Sequence, residues 1–237
     1  IANILLVLGV SLFLVKNKSI DSISSKDIFV MLIATFLFCY FMYSGSISKN
    51  WSYIMMASLP IYLYISYKIF NKKNDNFDYQ SIDSNIIILI NLFLGFVLLI
   101  YGSQLFIGGL IFISKFYSIP ESVVGISLAA IGTSLPELSV TVAAFVRKEG
   151  SVALGNIVGS NIFNIIGVLG FSVLVSGEIN ISTEFKGINS IILLAASFWV
   201  LYIAVKKPKN TKLFGFISIL SYAFYTIFIY QTILYCF

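Results

Sequence analysis

Histidine is absent from all 237 residues, which removes Ser-His and Cys-His nucleophilic pairs, imidazole-bound zinc and imidazole proton relays. Charge is scarce too. Asp, Glu, Lys and Arg make up 11% of the chain, where a soluble domain carries about a quarter. The two cysteines, Cys39 and Cys236, lie in apolar stretches without metal-ligand spacing, so neither a disulfide framework nor a thiol site is suggested. What the chain does have is hydrophobicity, at 59% apolar residues and a mean hydropathy of +0.97. It reads as an integral membrane protein. The net charge of +5 is spread over short loops between apolar runs, a pattern of membrane topology and not of nucleic-acid binding.

The first residues, IANILLVLGVSLFLV, form an apolar run with no basic stretch ahead of it and no small-residue cleavage site after it, so they do not read as a signal peptide. Sliding them along the chain finds a partner. Ile1 to Ser11 matches Ile162 to Ser172 at Ile, Asn, Ile, Val, Leu, Gly and Ser. Apolar coincidences are cheap in such a composition, but Asn3/Asn164, Gly9/Gly170 and Ser11/Ser172 in one register indicate an internal repeat. Residues 1–15 are accordingly expected to be the tail of a first repeat, with the missing N-terminal repeat of the same protein as their partner.

A bilayer core of about 30 Å needs about 20 apolar residues per helix. Polar breaks divide the chain into spans at about 1–15, 28–45, 51–67, 86–114, 122–146, 151–176, 188–205 and 213–236. The fold class expected is all-α and polytopic. Loops 16–27, 68–85, 147–150 and 206–212 fall on one side, and 46–50, 115–121 and 177–187 on the other. The first set holds twelve Lys and Arg (Lys16, Lys18, Lys26, Lys68, Lys72, Lys73, Arg147, Lys148, Lys206, Lys207, Lys209, Lys212) against three (Lys49, Lys115, Lys186). The positive-inside rule makes the first set cytoplasmic. Four spans separate the matching segments, so the repeat is inverted, an architecture of secondary transporters with a site at the repeat interface near the midplane. The organisation expected is 1–70, then a polar connector 71–85, then a second repeat 86–237.

Nine of the ten acidic residues lie in loops or at span ends. Glu137 does not: it lies inside GISLAAIGTSLPELSVTVAAF. An acid at a helix centre costs about 2.5–3.5 kcal/mol on insertion scales, so it should face a partner or a wet cavity. Thr133 and Ser134 precede it by four and three residues and would share its helix face. Pro136 has no N–H and clashes with the carbonyl four residues back, so a break with free carbonyls is expected near Ala129 to Gly132. Carboxylate, hydroxyl and carbonyl oxygens at a broken helix are hard ligands suited to Ca²⁺ or Na⁺ and unsuited to soft metals. In the next span, Asn156, Ser160 and Asn164 are spaced by four and would line one stripe, while Gly155 and Gly159 would let another helix approach closely. Asn91 and Gln104 are expected to bond between helices.

With GTSLPE (132–137) and GNIVGSNIFN (155–164) on consecutive spans, the sequence closely resembles the sodium/calcium exchanger family of the cation/calcium antiporter superfamily. In that family two inverted repeats each carry this motif pair, and ten helices enclose four cation sites. The resemblance covers about 86–236, and Ile1-Ala2-Asn3 resembles the end of the first repeat's matching motif. It implies half of an inverted-repeat ten-helix antiporter plus the tail of the first repeat. By position it implies Thr133, Ser134 and Glu137 as ligands, Ala130 as a carbonyl ligand, Ser160 and Asn164 as ligands of the second motif, and Asn3 as the first-repeat equivalent of Asn164. Some members have Asp where Asn164 stands, so this chain has one titratable group fewer there. The function implied is Na⁺/Ca²⁺ antiport by alternating access in a bacterial or archaeal inner membrane, or else Ca²⁺/H⁺ or other cation antiport. No enzymatic activity and no cofactor beyond the transported ions is expected. An intramembrane hydrolase built on Ser134 lacks His, a G-x-S-x-G elbow and a nearby Lys base.

Overall fold

The computed structural model describes residues 1–14, 25–73, 85–118, 130–147, 149–181 and 186–235. The connector 74–84, loop residues 15–24, Ala129 and Cys236 lie outside the described residues. In chain order the elements are α1 (Asn3–Leu14), α2 (Ser25–Ser44), β1 (Ser46–Ser48), α3 (Lys49–Lys73), α4 (Asn85–Phe116), α5 (Ala130–Thr133), α6 (Leu135–Val146), α7 (Gly150–Ser176), β2 (Glu178–Asn180), α8 (Ile188–Lys206) and α9 (Thr211–Tyr235). Among the described residues the fold is all-α but for two short strands. Among the described residues four helices are long and apolar enough to cross a membrane: Lys26–Ser44, Gly150–Ser176, Ile188–Lys206 and Thr211–Gln231. Helix is the form these runs must take, because hydrocarbon offers no water to satisfy backbone N–H and C=O groups.

The chain divides into two compact units, Ile1–Ser66 with Ser134–Phe237, and Tyr67–Thr133. In the first, α1 packs along α9, α6 against α7, and α2 against both α7 and α8. Its core includes Leu8, Leu12, Met31, Phe41, Leu154, Ile157 and Ile162. Antiparallel β1 and β2 pair with Ser46 opposite Asn180 and Ser48 opposite Glu178, which brings loops 46–50 and 177–187 to the same side, as the alternation of spans requires. In the second unit α4 is a 32-residue helix, about 48 Å long at 1.5 Å per residue. A Cβ on Gly132 of α5 would meet the ring of Phe106 on α4. Asn91 and Gln104, expected to bond between helices, are exposed on α4.

The internal repeat is structural as well as sequential. Both matching segments wind into a π-helical turn at the shared asparagine, Asn3–Val7 in α1 and Phe163–Leu169 in α7. Both glycines sit where a side chain would collide with a neighbour: a Cβ on Gly9 would lie 2.9 Å from Ile219 Cγ1 of α9, and one on Gly170 would lie 3.0 Å from Met55 Cβ of α3. The correspondence extends further than the opening match. Thr35 and Ser197, 162 residues apart, share a buried hydrogen bond of 3.2 Å, and the adjacent Phe36 and Phe198 meet edge to face at 6.2 Å. Tyr62 OH donates to Asp27 Oδ1 at 3.2 Å as Tyr225 OH donates to Asn189 Oδ1 at 3.1 Å. Contacts between equivalent residues of α2 and α8 mark a pseudo-two-fold axis between those helices. Cys39 near the end of α2 reaches the Ser190 carbonyl near the start of α8, so the two run in opposite directions, as an inverted repeat demands.

Three local expectations are corrected. The break near Pro136 falls at Ser134 (φ −91°, ψ −2°), between α5 and α6, while Ala130 to Gly132 are helical. The reason is that Pro136 is accommodated in the first turn of a new helix, where its missing N–H has no ladder partner to lose. Thr133 and Glu137 consequently stand on opposite sides of a break and do not share a continuous helix face. Gly155 and Gly159 have no described atom within 4 Å of where their Cβ would stand, whereas close approaches are found at Gly9, Gly170 and Gly215.

Candidate functional site

In the first unit, α1 crosses both α6 and α7, so the tail of one repeat meets both motif helices of the other. Asn3 is buried, at 7% exposure. Its Nδ2 donates to Ser160 Oγ at 3.0 Å, and Ser160 Oγ donates to the Ile157 carbonyl at 3.1 Å. That chain of bonds engages one N–H of the Asn3 amide and the Ser160 hydroxyl, and it sets which way the Asn3 amide faces. Its Oδ1 is buried with no hydrogen-bond partner.

Glu137 lies in the first turn of α6 and is half-buried. Its Oε2 is likewise buried and unpartnered. Leaving a carboxylate or amide oxygen dry and unbonded costs on the order of 1–3 kcal/mol, more for a charged group. Here two acceptors, one from each repeat, bear that cost in the unit where α1, α6 and α7 pack together. Oxygens oriented by their neighbours but lacking a donor are what a cation needs. Among the described residues no three His, Cys, Asp or Glu come together, and the described polar neighbours of the Glu137 turn are hydroxyl and amide groups, Thr141 and Asn156.

The backbone of Glu137 is tied more firmly than its side chain. Thr141 Oγ1, fully buried, donates to the Glu137 carbonyl at 2.6 Å. Asn156 Nδ2, reaching over from α7, donates both to that carbonyl at 3.2 Å and to Thr141 Oγ1 at 2.9 Å. Spacing placed Asn156 on the stripe with Ser160. Thr141 was missed, because an isolated threonine four residues after an acid carries no signal of its own.

The remaining expected residues divide as follows. Ser134 is buried in the turn that starts α6. Asn164 is exposed and lies in the π-helical turn Phe163–Leu169. Ala130 and Thr133 belong to the second unit. There Thr133 Oγ1 donates to the Ala130 carbonyl at 3.3 Å, so the expected hydroxyl and carbonyl ligands of the first motif are neighbours. The structure therefore brings Asn3 and Ser160 into contact, joins Asn156 to the Glu137 backbone, and pairs Thr133 with Ala130.

Comparison with known proteins identifies the family. Residues 87–231 match the family model described as sodium/calcium exchanger protein. The chain is 49% identical over 74 residues to the sodium/calcium exchanger MaX1 of Methanosarcina acetivorans, covering 31% of this chain and 21% of that one. It is 36% identical over 118 residues to the putative antiporter CaxA of Alkalimonas amylolytica, covering 50% and 37%. A solved structure of the sodium-calcium exchanger NCX_Mj, soaked with 2.5 mM Na⁺ and 0.1 mM Ca²⁺, superposes with a TM-score of 0.67 at 26% identity, covering 94% of this chain and 71% of that one. The matched regions are thus a minor part of both curated relatives.

Proposed function

Because the chain belongs to the sodium/calcium exchanger family, we propose that it forms the second repeat and the end of the first repeat of a Na⁺/Ca²⁺ antiporter, which uses inward sodium flow to expel calcium by alternating access. The observation that carries this reading is the pair of buried, unpartnered oxygens, Glu137 Oε2 and Asn3 Oδ1, contributed by the two repeats. Glu137 supplies the charge, and Asn3, Ser160, Ser134 and Asn164 of the same unit supply neutral oxygens. A site with one carboxylate among neutral ligands binds a monovalent or a divalent ion with similar ligand chemistry, so the two compete, and competition is the basis of exchange. The partners are Ca²⁺, Na⁺ and the lipid bilayer, and the location is the plasma membrane of a bacterium or archaeon, with the lysine-rich loops inside.

The test is Ca²⁺ uptake into inverted membrane vesicles containing the full-length protein. Uptake driven by an imposed sodium gradient, and lost in Glu137→Gln, supports the reading. Uptake driven only by a pH gradient would assign the protein to Ca²⁺/H⁺ antiport instead, and uptake retained above a tenth of wild type in Glu137→Gln would remove Glu137 from the site.

A further inference from the structure

We propose that Asn156, acting together with Thr141, is a positioning residue that holds the Glu137 turn of α6 at a fixed place on α7, and so sets the affinity for the transported cation. The inference rests on the reading of Glu137 as a ligand, and it assigns to two residues a role that neither the motif pattern nor ligand chemistry gives them.

Glu137 follows Pro136 at the very start of a helix, where the preceding turn supplies no continuous ladder to hold it. Its carbonyl nevertheless accepts from the Thr141 hydroxyl and from the Asn156 amide. The Asn156 amide has two N–H groups, and both are used: one reaches the Glu137 carbonyl and the other Thr141 Oγ1. Thr141 Oγ1 is therefore donor to one member of the triangle and acceptor from another, a closed set that leaves no donor over. Asn156 is on the same helix as Ser160, four residues on, which contacts Asn3. A displacement of the Glu137 peptide relative to α7 is thus a displacement of the carboxylate relative to the Ser160–Asn3 oxygens. The triangle prevents it. Interactions of this kind raise affinity by pre-organising a ligand, without touching the ion.

The experiment compares Asn156→Ala, Thr141→Val and Thr141→Ser in the full-length protein, reading the half-saturating Ca²⁺ concentration and the saturated rate separately. Losing one such hydrogen bond is expected to raise half-saturation about tenfold in Asn156→Ala and in Thr141→Val, with the saturated rate per folded molecule held within about twofold. Thr141→Ser keeps the hydroxyl and should behave as wild type. The double variant Asn156→Ala/Thr141→Val should be no worse than the worse single one, because both break the same triangle. A purely structural role would instead lower the amount of folded protein and leave half-saturation unmoved, and that result overturns the proposal. So does wild-type half-saturation in both Asn156→Ala and Thr141→Val while Glu137→Gln abolishes uptake, which leaves Glu137 as a ligand but removes its support. If Glu137→Gln itself retains uptake, the ligand reading fails first and this inference falls with it.

Discussion

A buried carboxylate oxygen without a partner costs stability in the absence of cation and returns it when a cation arrives. Glu137 Oε2 is in that position, and the sign of each effect follows. Glu137→Gln removes the charge, lowering the desolvation cost, so the cation-free variant should unfold at the wild-type temperature or above it. Wild type should gain stability with Ca²⁺ as RT ln(1 + [L]/Kd), about 2.7 kcal/mol at a hundredfold excess over Kd. The variant should gain almost none. Thermal unfolding in detergent with and without Ca²⁺ reads both effects, and equal protection of variant and wild type would disprove the role of Glu137. The residue itself was legible in the sequence, because an acid inside an apolar span is conspicuous. Its support by Asn156 and Thr141 was not, since a spacing of four defines a stripe without saying which neighbouring backbone the stripe touches.

At the scale of helices, the repeat uses one glycine twice. Gly9 brings α1 onto α9, and Gly170 brings α7 onto α3. The two contacts differ in what surrounds them. A Cβ on Gly9 would meet Ile219 Cγ1 at 2.9 Å, and also the Ile219 backbone nitrogen and Ser218 Cβ at 3.0 Å, whereas one on Gly170 would meet Met55 Cβ at 3.0 Å and then nothing nearer than Met56 Sδ at 3.7 Å. Three tight contacts, one of them to backbone, cannot be relieved without moving α9, while the single contact at Gly170 asks α3 to give by only a few tenths of an ångström. Gly9→Ala is therefore expected to destabilise by about 1–3 kcal/mol and Gly170→Ala by less, read from unfolding midpoints of the two variants. The reverse order would mean that α1 and α9 separate more readily than their packing implies. The sequence match already paired these glycines, and the small-residue spacing at Gly155 and Gly159 suggested a further close helix approach. Such a spacing describes how smooth a helix face is; it does not say that a helix lies on it.

At the largest scale, the first unit is ordered by an axis that the first eleven residues only hint at. Ala34-Thr35-Phe36 and Ala196-Ser197-Phe198 are too short and too apolar a match to stand out in sequence, yet Thr35 bonds to Ser197 and Phe36 packs on Phe198. Because α2 and α8 run oppositely about this axis, the end of α2 and the start of α8 share a face, which the β1–β2 ribbon closes. Lys and Arg are concentrated on the loops of the opposite face, so the ribbon should be outside the cell and the α8–α9 loop inside. In a chain carrying Cys39→Ala and Cys236→Ala, single cysteines at the exposed positions Ser48 and Lys209 distinguish the faces. Ser48→Cys should react with a membrane-impermeant maleimide in intact cells, and Lys209→Cys only after the membrane is opened. Ser48 and Glu178 are register partners, and paired positions of antiparallel strands lie about 4.5–5.5 Å apart at Cα, within the span of a disulfide. Oxidation of Ser48→Cys/Glu178→Cys should therefore form a crosslink and abolish the external labelling. Labelling of Lys209→Cys alone in intact cells would reverse the orientation. Labelling of both single variants from outside would mean that the ribbon and the α8–α9 loop do not lie on opposite faces, and would overturn the inverted arrangement itself.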